Sequence, residues 1–166
     1  MRLSTFWEVG IKRLIQIIVA VAIFAIAAFA WYAFSPLLFD NVVDETIEAS
    51  ATDAPLATGQ FRDADSSHRG SGTATIFTGA SGVPTLAFTE FEVTNGPDLE
   101  VWLVKLDDPQ SSADVKASEW VSLGQLKGNI GDQSYAIPED VNLAEYGSAV
   151  IWCEQFGVLF AVASLN

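Results

Sequence analysis

The chain is short of the residues that carry most enzyme chemistry. Its 166 residues include one cysteine, Cys153, and one histidine, His68. A single cysteine excludes an internal disulfide. One cysteine and one histidine are too few for a four-ligand zinc site, and no C-x-x-C-H run offers covalent haem attachment. No G-x-S-x-G occurs, and one histidine leaves little from which to build a nucleophile, base and orienter, so hydrolysis is not expected. No N-x-[ST] sequon provides a glycosylation site. Positive charge is scarce too. Eight Lys and Arg stand against 21 Asp and Glu, a net charge of −13. That balance disfavours nucleic acid and anionic lipid surfaces as partners.

What the chain does have is one long apolar run. From Leu14 to Phe34 the only polar side chains are Gln16 and the Tyr32 hydroxyl. As a helix these residues reach roughly 31 Å at about 1.5 Å per residue, close to the ~30 Å of a hydrocarbon core. A transmembrane helix is expected over 14–36, ending at Ser35-Pro36. Arg2, Lys12 and Arg13 precede it. Asp40, Asp44, Glu45, Glu48 and Asp53 follow, with no basic residue until Arg62. By the positive-inside rule residues 1–13 stay in the cytoplasm and the rest lies outside, in periplasm, lumen or cell exterior. Trp7, Trp31 and Tyr32 fall where interfacial aromatics are expected, and Thr5–Glu8 has capping-box spacing. The rival reading is a cleaved signal peptide, with Ala28-Phe29-Ala30 as the cleavage site. The apolar run is longer than the usual ~7–15 residues of such peptides, which favours an anchor. The span is rich in alanine (Ala20, Ala22, Ala25, Ala27, Ala28, Ala30, Ala33), which would let another helix pack closely. An integral membrane protein partner is the expectation, with the bilayer contacted through residues 14–36.

Residues 37–58 are acidic, with small residues and Pro55, and read as a flexible linker. From Gly59 to Asn166 the texture becomes short alternating runs broken by Gly, Pro, Asn and Asp. Strands are expected at Gly72–Thr78, Thr85–Val93, Leu99–Leu106, Trp120–Leu126, Asp132–Ile137, Ser148–Cys153 and Val158–Ser164. Turns fall at Gly79–Gly82 and Asn95–Asp98, a loop at Pro109–Ala117, and one helical turn at Leu143–Tyr146. The alternation slips once in Thr85–Val93, as a bulge would make it do. About eight strands at this spacing predict an all-β, antiparallel β-sandwich. Ser148–Cys153 and Val158–Ser164 are apolar on both faces and are expected at the centre of the sheet. The domain from Gly59 carries 15 acidic and 5 basic residues. That surplus reads as solubility or as a docking face for a basic partner.

His68–Ile76, Leu86–Phe91, Asn95–Leu103, Leu123–Pro138, Ser148–Cys153 and Phe156–Ala163 together resemble the DM-thirteen domain. That module is found beside DOMON domains in Skeletor-type proteins, and alone in bacterial exported proteins. The resemblance covers 59–166 and omits the span and linker. It implies an all-β exported domain and places the family's hallmark cysteine at Cys153. It also implies extracytoplasmic redox or electron-transfer work through that thiol or a bound prosthetic group.

The residues themselves leave three readings of Cys153. It is a small buried hydrophobe, a redox thiol or cofactor ligand helped by His68, or one half of an intermolecular disulfide. Glu154 beside it would raise its pKa. His68 is either a ligand or proton donor, or a loop histidine bonding backbone. No motif supports haem or another redox group, and no metal site is expected. Asp63–Ser67 fails as a calcium loop because His68 stands where glycine is needed. Carboxylates such as Asp98, Asp107 and Asp108 remain as loop ligands or solvated charges. Gly128–Gln133 reads as a turn with Asn129 and Asp132 bonding their own backbone. Trp102, Trp120 and Trp152 read as core, with Trp120 the one expected nearest the surface. The function expected is an extracytoplasmic interaction module, an accessory subunit of a membrane complex. The alternative is a redox module working through Cys153.

Overall fold

The computed structural model describes residues 3–35, 39–47, 54–78 and 82–166, in two units. The first contains helix α1, Leu3–Phe34. Within it Gly10–Tyr32 has a mean hydropathy of 2.6, long and apolar enough to cross a membrane. A core helix would be mostly buried, whereas this window is 0 % buried. α1 starts two residues before Thr5. The side chains of Thr5, Trp7 and Glu8 lie outside the described residues, as do most of the turn at Gly79–Gly82 and linker residues 48–53.

The second unit is an antiparallel β domain. Its strands are β1 (Ala57–Asp63), β2 (Gly70–Thr78), β3 (Pro84–Val93), β4 (Leu99–Val104), β5 (Trp120–Gln125), β6 (Gln133–Ala136), β7 (Ser148–Cys153) and β8 (Val158–Ser164). They form one sheet in the order β5-β4-β7-β8-β1-β2-β3-β6. The sheet turns back on itself at β1. The first half of β1 pairs with β2 (Thr58 opposite Thr75), and its second half pairs with β8 (Arg62 opposite Val162). The two halves therefore face each other across a core, as a sandwich that nearly closes into a barrel. Phe61, Phe88, Phe91, Leu99, Val101, Leu103, Ile151 and Cys153 belong to that core.

A second, smaller cluster lies on the other face of β4, β7 and β8: Trp102, Val104, Val115, Val150, Trp152, Leu159 and Val162. β4 alternates between the two as its sequence predicts, with Leu99, Val101 and Leu103 inward and Trp102 and Val104 outward. All six residues of β7 are buried, because β7 lies between β4 and β8 with apolar clusters on both faces.

The expected bulge is real. Ser71 pairs with Glu92 and Thr73 with Thr89, which leaves Gly72 opposite two residues of β3. Glu90 takes φ 50° there and Gly72 takes 105°. A Cβ on Gly72 would lie 2.7 Å from the Glu90 carbonyl oxygen, so only glycine fits.

Three expectations need correction. Pro109–Ala117 is not all loop: Ser112–Ala117 forms helix α2, with the Ser111 hydroxyl accepting from the Asp114 N–H. Six residues are too few to show a helical period, but the cap and buried Val115 hold them. β1 begins at Ala57, inside the segment read as linker. Its sequence carries little strand signal, because Phe61 is its only large apolar residue. Finally, Phe39–Glu45 is not a free tether. Val42 bridges Ile130 in parallel, and the Val43 and Glu45 N–H groups donate to the Ile130 and Asp132 carbonyls, each at 2.9 Å.

Candidate functional site

The strap at 39–45 explains the glycines opposite it. A Cβ on Gly128 would lie 2.5 Å from the Asn41 carbonyl oxygen, and one on Gly131 would overlap the Val43 carbonyl. Asn129 and Asp132 do not bond their own backbone as the sequence suggests. Asn129 accepts from the Asn41 N–H at 2.7 Å and donates to Asp40 at 2.9 Å. Asp132 accepts from the Glu90 N–H at 2.8 Å. The Glu45 carboxylate closes the strap, accepting from Lys127 Nζ at 2.6 Å and from Ser134 N and Oγ at 2.9 and 3.0 Å. Burial pushes the Glu45 carboxyl up, but the bonds from Lys127 and Ser134 outweigh it and the net direction is down.

Cys153 ends β7 opposite Leu99 and Val158. It is 1 % exposed, and its thiol donates to the Pro97 carbonyl at 3.1 Å. Burial pushes the thiol pKa up, and Asp98 and Glu154 add to this. The backbone N–H groups of Phe156 and Gln155 pull the other way and lose. The thiol is at the strand end, as its sequence position implies, but it belongs to the main core.

His68 lies in the turn between β1 and β2. Its Nδ1 meets Asp65 Oδ2 at 2.8 Å, while the Ser67 and His68 N–H groups donate to Asp65 Oδ1 at 2.7 and 2.9 Å. Its ring lies against Phe160, centroids 4.3 Å apart. The hydrogen bond from His68, then those from the two amides, depress the Asp65 carboxyl to about 2. No hydrogen bond joins His68 to Cys153. The thiol donates to the Pro97 carbonyl and the imidazole bonds the Asp65 carboxylate, so each already has a partner of its own. Among the described residues no His, Cys, Asp and Glu cluster has metal-binding geometry. Asp108 instead pairs with Arg62 at 2.7 Å.

The feature that sequence reasoning left unassembled is a tryptophan stack on the outer face of β4, β5 and β7. Trp102 and Trp120 lie 3.8 Å apart at 9°, and Trp102 and Trp152 lie 5.0 Å apart at 30°. Strand register builds it. Val104 pairs with Trp120 and Glu100 with Trp152, so both partners sit diagonally to Trp102, one on each side. Trp120 is 46 % exposed, Trp102 3 % and Trp152 2 %. Trp102 Nε1–H donates to Glu100 Oε2 at 2.8 Å, and the Ser122 hydroxyl donates to the same oxygen at 2.7 Å. Lys116 Nζ, from α2, stands 5.7 Å from the Trp152 ring centroid. In the sequence the three tryptophans read as core one by one, and the pairing between strands is what stacks them.

A family model described as electron transfer DM13 matches residues 60–165. No curated protein and no solved structure matches the chain.

Proposed function

We propose, from the premise that this chain belongs to the electron transfer DM13 family, that it is a membrane-anchored accessory subunit. In this reading the helix around Gly10–Tyr32 spans a bilayer once. Arg2, Lys12 and Arg13 hold the N-terminus in the cytoplasm, and the β domain works outside it. The domain serves an electron-transferring membrane complex by docking to it, without thiol or metal chemistry of its own. The observation that carries this reading is the seat of Cys153. A nucleophilic or metal-binding cysteine needs a thiolate and a path to it. This thiol is 1 % exposed, bonded to a carbonyl and raised in pKa. The alternative, Cys153 as redox thiol or cofactor ligand with His68, would require the Pro97 turn to open. The acidic surface supports docking to a basic face. Arg62, Lys105 and Lys127 are already in ion pairs, which leaves the acidic surplus to solvent.

Sealed vesicles from the native membrane, treated with protease from either side and then solubilised gently, test the proposal. The expected result is a domain cleaved only from the non-cytoplasmic side and a chain migrating in a complex of fixed stoichiometry. A domain cleaved from the cytoplasmic side, or a chain that runs alone, would overturn it.

A further inference from the structure

We propose that the Trp120–Trp102–Trp152 stack is a one-electron relay, entered at Trp120 and resting on Trp102. The Trp120 ring is oxidised by a one-electron oxidant on the partner complex proposed above, docked against its exposed face. The inference rests on the docking to an electron-transferring complex proposed above, and it adds a transfer step in this chain's own side chains.

Three observations carry it. The first is the gradient of exposure. Trp120, at 46 % exposed, offers a face to a partner, while Trp102 and Trp152 are sealed beneath it at 3 % and 2 %. The second is ring overlap. Trp120 and Trp102 are nearly parallel at 3.8 Å, so an electron vacancy on the outer ring is shared with the inner one without crossing backbone or solvent. The third is the charge placed around each ring. Glu100 holds the Trp102 indole N–H at 2.8 Å, where its carboxylate favours positive charge on that ring and can receive its proton. The Lys116 ammonium, 5.7 Å from the Trp152 centroid, disfavours positive charge there. The three rings are therefore electrostatically unequal, and the vacancy stops on the middle one.

The step balances as follows. The oxidant gains one electron from Trp120, and Trp120 regains one from Trp102. The Nε1–H bond of Trp102 breaks and an O–H bond forms on Glu100 Oε2. This leaves a neutral indolyl radical beside a neutral carboxylic acid. A one-electron reductant of the phenol or hydroquinone class returns an electron through Trp120. Its O–H bond breaks to leave an aryloxyl radical and release its proton to water, while Glu100 gives its own proton back to Trp102 Nε1. Ser122, bonded to the same oxygen at 2.7 Å, keeps Glu100 aimed at the indole in both states.

Flash photolysis of the full-length protein in detergent micelles tests this, with photogenerated tris(bipyridine)ruthenium(III) as oxidant. A Trp7→Phe, Trp31→Phe background leaves only the three stacked tryptophans. The expected product is a long-lived neutral indolyl radical. Trp120→Phe loses most of its yield, because the entry ring is gone. Glu100→Gln preserves an acceptor for the indole N–H but not the base, and yields the radical cation in place of the neutral radical. Thermal melts of both variants confirm that they remain folded. If Trp120→Phe is oxidised as fast as its parent, or Glu100→Gln still gives the neutral radical, the relay is refuted. A stack that stays silent in a chain that still assembles with its membrane partner refutes the relay alone and leaves the accessory role standing.

Discussion

Removing the Glu45 carboxylate should loosen the segment that follows the span from the face of the β domain. Glu45 accepts one bond from Lys127 and two from Ser134, at 2.6, 2.9 and 3.0 Å. Hydrogen bonds to a charged group are worth about 1.5–3 kcal/mol when well buried. The Lys127 and Glu45 side chains are 42 % and 32 % exposed, which brings the ion pair itself toward the ~0.2–1 kcal/mol of exposed pairs. Ser134 is on an edge strand, where water can replace a lost partner. Glu45→Ala should therefore cost about 1–2 kcal/mol, or roughly 4–8 °C in Tm for a domain of this size. The sign with pH follows from the lowered carboxyl. The contribution is complete above the ordinary value of 4.5 and is lost as pH falls through the depressed one, so acid releases the strap. Thermal melts of the full-length protein in detergent give the stability, and amide exchange at Val43 and Glu45 reports the strap. Unprotected Val43 and Glu45 amides in the parent protein, or a Glu45→Ala melt within about 1 °C of it, would show that the carboxylate does not hold the strap.

Gly72→Ala meets both a positive φ and the Glu90 backbone, so chemical denaturation should show a loss of ~2 kcal/mol or more. NMR titration should find the Asp65 carboxyl at about 2, and His68→Ala should return it toward 3.8. A depressed carboxyl stabilises above its unfolded value, so whatever the Asp65 turn contributes persists at neutral pH and is lost only as pH falls through about 2. Ser111→Ala removes the cap of α2 and should cost about 1 kcal/mol, read as a shift in the urea midpoint at constant slope.

The two faces of β4 were legible because successive strand side chains point to opposite faces, which puts Leu99, Val101 and Leu103 on one and Trp102 and Val104 on the other. β7 and β8 were legible for the opposite reason: buried on both faces, they are apolar throughout. The slip near Glu90 announced the bulge. β1 was not legible, because its partners β2 and β8 supply most of its burial while its own sequence is polar. The strap was not legible either. Asp40, Asn41 and Glu45 read as solvated acidic linker until Asn129, Lys127 and Ser134 are brought beside them by the fold. At the site, sequence singled out Cys153 and His68 because they are rare. Rarity says nothing of burial, and the structure puts the thiol under Pro97. The tryptophans were seen one by one, since stacking is set by register between strands that sequence does not specify.

The central claim is that this domain works without an accessible thiol. Timed alkylation of the native full-length protein in detergent, with an absorbance spectrum beforehand, tests it most directly. No visible band and no labelling of Cys153 are expected until the protein is unfolded, with Cys153→Ser indistinguishable from its parent in the native state. Labelling within seconds that disappears in Cys153→Ser, or a visible band lost with that substitution, would contradict it and return the chemistry to the cysteine.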